Sequence, residues 1–143
     1  MNNRLKIYLA GSIKNVNEEF QNWRTRCLML RQNGFYTNLE FVDPNSYFNY
    51  TNKKPKTDKQ CLELFMWAIK QCDVMLVNLD QSNNSCGTCM EIEHAYCNGI
   101  PVIAFGEKPD TWYDWAETRS TVILKTLEEA IDYIHNFYWK VVR

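Results

Sequence analysis

The sequence predicts a three-layer α/β fold on a five-stranded parallel sheet, and three observations predict it. Strand-like apolar runs alternate with helical patterns along the chain. The run Val74-Met75-Leu76-Val77-Asn78-Leu79 is almost continuously apolar, as suits a central parallel strand covered on both faces. Asn33-Gly34 and Gly99 each stop a helical pattern shortly before the next strand begins.

The elements follow in order. Leu5 to Ala10 reads as a strand ending at Gly11-Ser12, and a helix follows from about Glu18 to Gln32. That helix carries Phe20, Trp23, Cys27 and Leu30 on one face. Phe35 to Val42 reads as a second, weaker strand, and Asp43 to Lys56 as a long loop rich in Asn, Tyr and Pro. Asp58 to Gln71 reads as a helix with Leu62, Phe65, Met66 and Ile69 on one face, leading into the central strand after Asp73. Gln81 to Ser85 is a polar loop, and Cys86 to Asn98 a helix. Pro101 to Phe105 and Thr121 to Leu124 complete the strands, and Thr126 with Glu129 fits a capping box opening the last helix.

In a flavodoxin-like or Rossmann-like sheet of order 2-1-3-4-5, ligands bind beyond the carboxyl ends of the strands where the order reverses. That crevice lies between the first and third strands. Its lips are then Gly11-Ser12-Ile13 and the segment from Asp80 to Glu91.

Composition narrows the function. The 143 residues read as a single domain, 1–143, with 45 % hydrophobic residues and no internal repeat. A net charge of −1 gives no global basic field to recruit a nucleic-acid polymer or an anionic membrane. The local run Lys53-Lys54-Pro55-Lys56 with Lys59 reads as a solvated loop, with attraction of an anionic substrate as the alternative. No apolar run approaches the roughly 18 residues of a membrane span, and the amino-terminal segment lacks the core of a signal peptide. Six cysteines (27, 61, 72, 86, 89 and 97) in such a chain point to reduced thiols and a cytoplasmic setting.

Two short segments carry the chemistry. In Ser85-Cys86-Gly87-Thr88-Cys89-Met90-Glu91 a polar loop enters a helix, presenting free amides and the positive end of the helix dipole to hydroxyls or phosphate. Ser85 can cap those amides or donate to a ligand, and Gly87 lets a ligand approach the backbone. Glu91 faces the crevice if the helix packs on its Met90, Ala95 and Cys97 side; alone, it also reads as an ordinary dipole-compensating charge. In Tyr8-Leu9-Ala10-Gly11-Ser12-Ile13, Tyr8 either fills the strand or holds a buried carboxylate by its phenol.

Cys86-x-x-Cys89 resembles a redox or zinc pair, but with His94 and Cys97 it does not converge easily on tetrahedral metal geometry from one helix, so these cysteines read as structural; the chemistry expected of this chain uses no metal or organic cofactor. Trp112-Tyr113-x-Trp115 reads as core or interface packing, with base stacking as the alternative.

Lys6-Ile7-Tyr8-Leu9-Ala10-Gly11-Ser12, then Asp73-Val74-Met75-Leu76-Val77, then Ser85-x-Gly87-Thr88-x-x-Glu91-x-x-x-Ala95-Tyr96 together resemble the nucleoside 2-deoxyribosyltransferase family. Gly99-Ile100-Pro101-Val102-Ile103 fits the family's continuation, so the likeness spans roughly residues 5 to 105.

The resemblance implies that Glu91 is a nucleophile forming a covalent deoxyribosyl intermediate and that Tyr8 positions it. It also implies that Gly11, Ser12, Ile13, Ser85, Gly87 and Thr88 line the sugar and its 5′ end. Substrates would be a small deoxynucleoside or deoxynucleotide and a free nucleobase, and the assembly a homo-oligomer with Tyr133 to Trp139 as a candidate interface.

Two departures from the family pattern stand out. Transferases of the family usually carry Asp six residues before the nucleophile, where this chain has Ser85, as in the related 2-deoxynucleoside 5′-monophosphate N-hydrolases. Phe65 stands where the family places another Asp; Glu63 is the nearest acid, and Asp80 is the alternative carboxylate for the leaving base.

Overall fold

The computed structural model describes residues 4–12, 18–44 and 57–139, with residues 18–22 described by backbone alone. The elements alternate as β1 (Leu5–Gly11), α1 (Glu18–Gln32), β2 (Leu39–Val42), α2 (Asp58–Lys70), β3 (Val74–Asn78), α3 (Cys86–Cys97), β4 (Val102–Phe105), α4 (Tyr113–Arg119), β5 (Val122–Leu124) and α5 (Leu127–Ile134). A π-helical turn, His135–Trp139, extends α5. The sheet order is β2-β1-β3-β4-β5 and every pairing is parallel. The order therefore reverses between β1 and β3, where the sequence places the crevice.

Alternation along the strands splits the core into two layers. Ile7 and Leu9 of β1 join Leu76, Trp23 and Cys27 of α1, and Ile131 and Ile134 of α5. Tyr8 and Ala10 point the other way and join Met75, Val77, Ile69 of α2, Ile92 and Ala95 of α3, and Ala116 of α4. β3 is buried at all five positions, which is why its sequence shows no polar alternation. Among the described residues, no helix is long and apolar enough to cross a membrane.

Both predicted glycine stops are Schellman motifs. After α1, Phe35 N–H donates to Leu30 O at 2.9 Å and Gly34 N–H to Arg31 O at 3.1 Å, with Gly34 at φ +85°. After α3, Ile100 donates to Ala95 O at 2.9 Å and Gly99 to Tyr96 O at 3.1 Å, with Gly99 at φ +71°.

Several local expectations shift. The second strand begins at Leu39 rather than Phe35, because Tyr36 adopts φ +52° and the Leu39 N–H closes a turn onto its carbonyl at 2.9 Å. α2 buries Cys61, Ala68 and Ile69, while Leu62 is 55 % exposed. At Thr126 the box is offset: Thr126 Oγ1 accepts from Glu129 N–H, but the Glu129 carboxylate accepts from Lys125 N–H, one residue earlier. The reciprocal capping box belongs to α2, between Thr57 and Gln60.

Candidate active site

The ends of β1 and β3 and the start of α3 converge on the crevice. β1 supplies Tyr8, whose place in the alternation turns its side chain toward the layer that contains α3. α3 supplies Glu91. Successive helical residues turn by about 100°, so Thr88, Glu91, Ile92 and Ala95 share one face, and Thr88, Ile92 and Ala95 are buried. This corrects the expected packing side: Met90 is 61 % exposed and Cys97 is exposed, because the face toward the sheet is the one with the small and β-branched residues. Glu91 faces inward all the same, and the Tyr8 phenol donates to its Oε2 at 2.6 Å.

The start of α3 forms the other wall. Ser85 is its N-cap, accepting from Thr88 N–H at 3.4 Å while the two hydroxyls lie 2.6 Å apart. Thr88 is buried, and Gly87 stands open, with no atom within 4 Å of where a Cβ would project. Gly11 pairs with Asn78 at the ends of β1 and β3. A Cβ on Gly11 would meet Asn78 O and Trp23 Cζ2 at 3.2 Å, so a side chain here would push the β3 end or the Trp23 ring back by a few tenths of an ångström.

Electrostatics single out Glu91. Burial pushes its carboxyl up to about 7, against the Tyr8 hydrogen bond and the charge of Arg24, which both favour the ionised form. Arg24 is 5 % exposed. Its Nη2 donates to Gly11 O at 3.1 Å, and its Nε lies 3.5 Å from Asp43 Oδ1. Arg24 is not among the candidates that the motifs supply. Its signal was a charge set between Trp23 and Cys27 on the apolar face of α1, where a solvated arginine has no place.

A model of the nucleoside 2-deoxyribosyltransferase family matches residues 7–129. The chain belongs to the nucleoside 2-deoxyribosyltransferase family. No curated protein matches it significantly. Solved structures agree on the fold. A 2-deoxyribosyltransferase from Bacillus psychrosaccharolyticus is 20 % identical, with 87 % of this chain and 95 % of that chain covered and a TM-score of 0.55. A conserved protein from Enterococcus faecalis is 17 % identical over 93 % of this chain and 87 % of that chain, TM-score 0.56. DNA processing protein A from Helicobacter pylori, a single-stranded DNA binder, is 13 % identical over 96 % and 83 %, TM-score 0.63. At these identities the likeness concerns the fold.

Within this deoxyribosyltransferase family member the remaining candidates are spread over several segments. Ser12 lies half-exposed at the end of β1; Ile13 and the Lys53-Lys54-Pro55-Lys56 run lie outside the described residues. Asp80 turns away from the crevice. Its Oδ1 accepts from Glu107 N–H at 2.8 Å and presses on Gly106, whose φ is +97° and whose Cβ would lie 2.7 Å from that oxygen. Glu63 is exposed and paired with Lys59 at 3.8 Å, on the side of α2 away from Cys61 and Ala68. His94 docks α3 on α2, its Nε2 lying 3.1 Å from Met66 O. Trp112 is buried with its Nε1 donating to Ser82 O at 2.8 Å, whereas Tyr113 and Trp115 are exposed. Among the described residues, no three His, Cys, Asp or Glu are grouped to hold a metal ion.

Proposed function

We propose that this protein cleaves the N-glycosidic bond of a 2-deoxyribonucleoside and transfers the sugar to an acceptor nucleobase through a deoxyribosyl-Glu91 intermediate. The observation that carries the reading is the 2.6 Å bond from Tyr8 to Glu91 at the switch point of the sheet. That contact aims one carboxylate oxygen and leaves the other free to react.

An oxygen of ionised Glu91 attacks C1′ as the C1′–N bond breaks. The bond's electron pair leaves with the base, which takes up a proton. A nitrogen of the acceptor base then attacks C1′ and gives up its proton, the C1′–O bond of the ester breaks, and that bond's electron pair returns to Glu91. A carboxylate is suited to this because the departing base leaves an oxocarbenium-like sugar that it traps. Water in place of the acceptor gives hydrolysis by the retaining-glycosidase route.

A second reading, hydrolysis of a 2-deoxynucleoside 5′-monophosphate, is favoured by one observation. The paired hydroxyls of Ser85 and Thr88 sit at the positive end of α3 in place of a carboxylate, a seat that suits an anionic 5′ group. A binding module without catalysis is the remaining alternative. The proposal includes a homo-oligomer and no nucleic-acid polymer as ligand.

The test incubates the protein with a deoxynucleoside or deoxynucleotide and a free acceptor base and resolves products by chromatography. New nucleoside means transfer, and free sugar or sugar phosphate means hydrolysis. Base release that survives Glu91→Gln and Glu91→Ala unchanged would sink the nucleophile assignment.

A further inference from the structure

Arg24 has a place in the site that neither the family pattern quoted above nor the nucleophile reading accounts for. Arg24 is a charged side chain only 5 % exposed, next to a buried carboxylate. A buried guanidinium without compensation is costly, so its partners should saturate it. They do so only in part: Nη2 donates to Gly11 O at 3.1 Å and Asp43 pairs with the guanidinium at 3.5 Å, yet Nε is buried without a hydrogen-bond partner among the described residues. The Trp23 ring under the guanidinium, 4.8 Å from its carbon, adds a cation–π contact but no counter-charge. The cation is paired with Asp43 on one side, and its field also falls on Glu91 and Tyr8.

We propose that Arg24 is a positioning residue of this site: it holds the Gly11 turn through the carbonyl bond and supplies, from behind, the cation that keeps the Tyr8–Glu91 pair charged and aligned. The inference rests on Glu91 as the reacting carboxylate. Tyr8 from β1 and Arg24 from α1 are the groups that act on Glu91 electrostatically, and Asp43 stands behind Arg24. On the neighbouring helices, the Glu63 and Arg119 charges are engaged at the surface with Lys59 and Glu93. Burial raises Glu91, and Arg24 opposes that rise. Gly11 is also the lip of the crevice, so loosening its carbonyl displaces the segment nearest the sugar's expected seat.

The test titrates protein carrying glutamate labelled with carbon-13 at the side-chain carboxyl, with the Glu91 signal assigned by its loss in Glu91→Gln. Arg24→Met removes the charge, Arg24→Lys keeps it, and Asp43→Asn removes the opposing anion. Arg24→Met should move the Glu91 midpoint up by about one pH unit, a tenfold fall in the ionised fraction on the acidic side. Arg24→Lys should hold the midpoint within a few tenths of a unit, and Asp43→Asn should move it down. Base release against pH should follow the same order. An unchanged midpoint in Asp43→Asn, or one that moves up, overturns the proposal even where Arg24→Met fails to fold. Because the midpoint is read without turnover, the two readings fail separately. Glu91→Gln that retains base release removes the nucleophile, and midpoints that ignore Arg24 and Asp43 remove the positioning role.

Discussion

The Tyr8 phenol and the Glu91 carboxylate meet at 2.6 Å although 83 residues separate them in the chain. β1 fixes the phenol by strand alternation, and α3 fixes the carboxylate by packing Ile92 and Ala95 on the sheet. Neither group is aimed by a loop. A contact between two rigid elements holds its geometry without loss of further side-chain entropy on substrate binding.

Replacing Tyr8 with Phe isolates that contact. A hydrogen bond to a charged acceptor contributes about 1.5–3 kcal/mol, which corresponds to a loss of roughly 10- to 100-fold in kcat/KM. The phenol favours the ionised carboxylate, so its loss should also move the acidic limb of the pH profile upward. Steady-state rates of base release from pH 5 to 9 check both. A profile that falls in height without moving means that the bond does not act on Glu91 ionisation.

Glu91 also carries a cost in stability whose sign is set by pH. Its folded value of about 7 lies above the usual 4.5, so the folded state prefers the protonated form. The associated stability is present in full below about pH 4.5 and is lost as pH rises through 7. Glu91→Gln is neutral throughout and still accepts from Tyr8. It should match the wild type in urea unfolding near pH 4.5 and exceed it above pH 8 by on the order of 3 kcal/mol. A gap that is the same at both pH values contradicts this.

Much of this was readable in advance, for identifiable reasons. β3 announces itself because burial on both faces leaves no polar position, and Gly34 and Gly99 because their caps need positive φ. The family match over residues 7–129 agrees with the likeness carried by Tyr8, Gly11, Gly87 and Glu91. What failed to show was which way a weakly amphipathic helix turns. Met90, Cys97 and Leu62 are exposed although they were read onto packed faces, while Ala95 of α3 and Ile69 and Met66 of α2 do pack there. Arg24 was missed for the opposite reason, since pattern rules assign a charge to solvent while its partners, Gly11 O and Asp43, come from distant segments. Tyr36 at φ +52° has no sequence signature and shortens β2.

Gly106 and Asp80 form a second testable pair. A side chain on Gly106 would need φ +97° and would push its Cβ to 2.7 Å from Asp80 Oδ1. Gly106→Ala should therefore lower stability by about 2 kcal/mol, strain and contact together. Asp80→Asn retains an oxygen to accept from Glu107 N–H and should lose little, whereas Asp80→Ala should lose about 1 kcal/mol. Thermal unfolding of the three variants checks the order. Equal effects of Asp80→Asn and Asp80→Ala would mean that the carboxylate's charge, rather than its acceptor oxygen, holds the turn.

Ser85 separates the two substrate readings. It caps α3 through Thr88 N–H, and aspartate caps a helix as well as serine does, so Ser85→Asp should leave stability within a few tenths of a kcal/mol. The change nevertheless puts a negative charge where the free amides and the paired hydroxyls of Ser85 and Thr88 now offer a seat to an anion. A 5′-monophosphate brought to that seat would meet like charge at short range, and the site would lose one of its hydroxyl partners. The KM for a deoxynucleoside 5′-monophosphate should rise at least about tenfold, equivalent to roughly 1.4 kcal/mol. The KM for the matching nucleoside, with a neutral 5′ hydroxyl, should hold or fall. Raising the ionic strength should weaken the discrimination, since part of the repulsion is screened. If both substrates respond alike, Ser85 does not face the 5′ end and the phosphate seat lies elsewhere in the crevice.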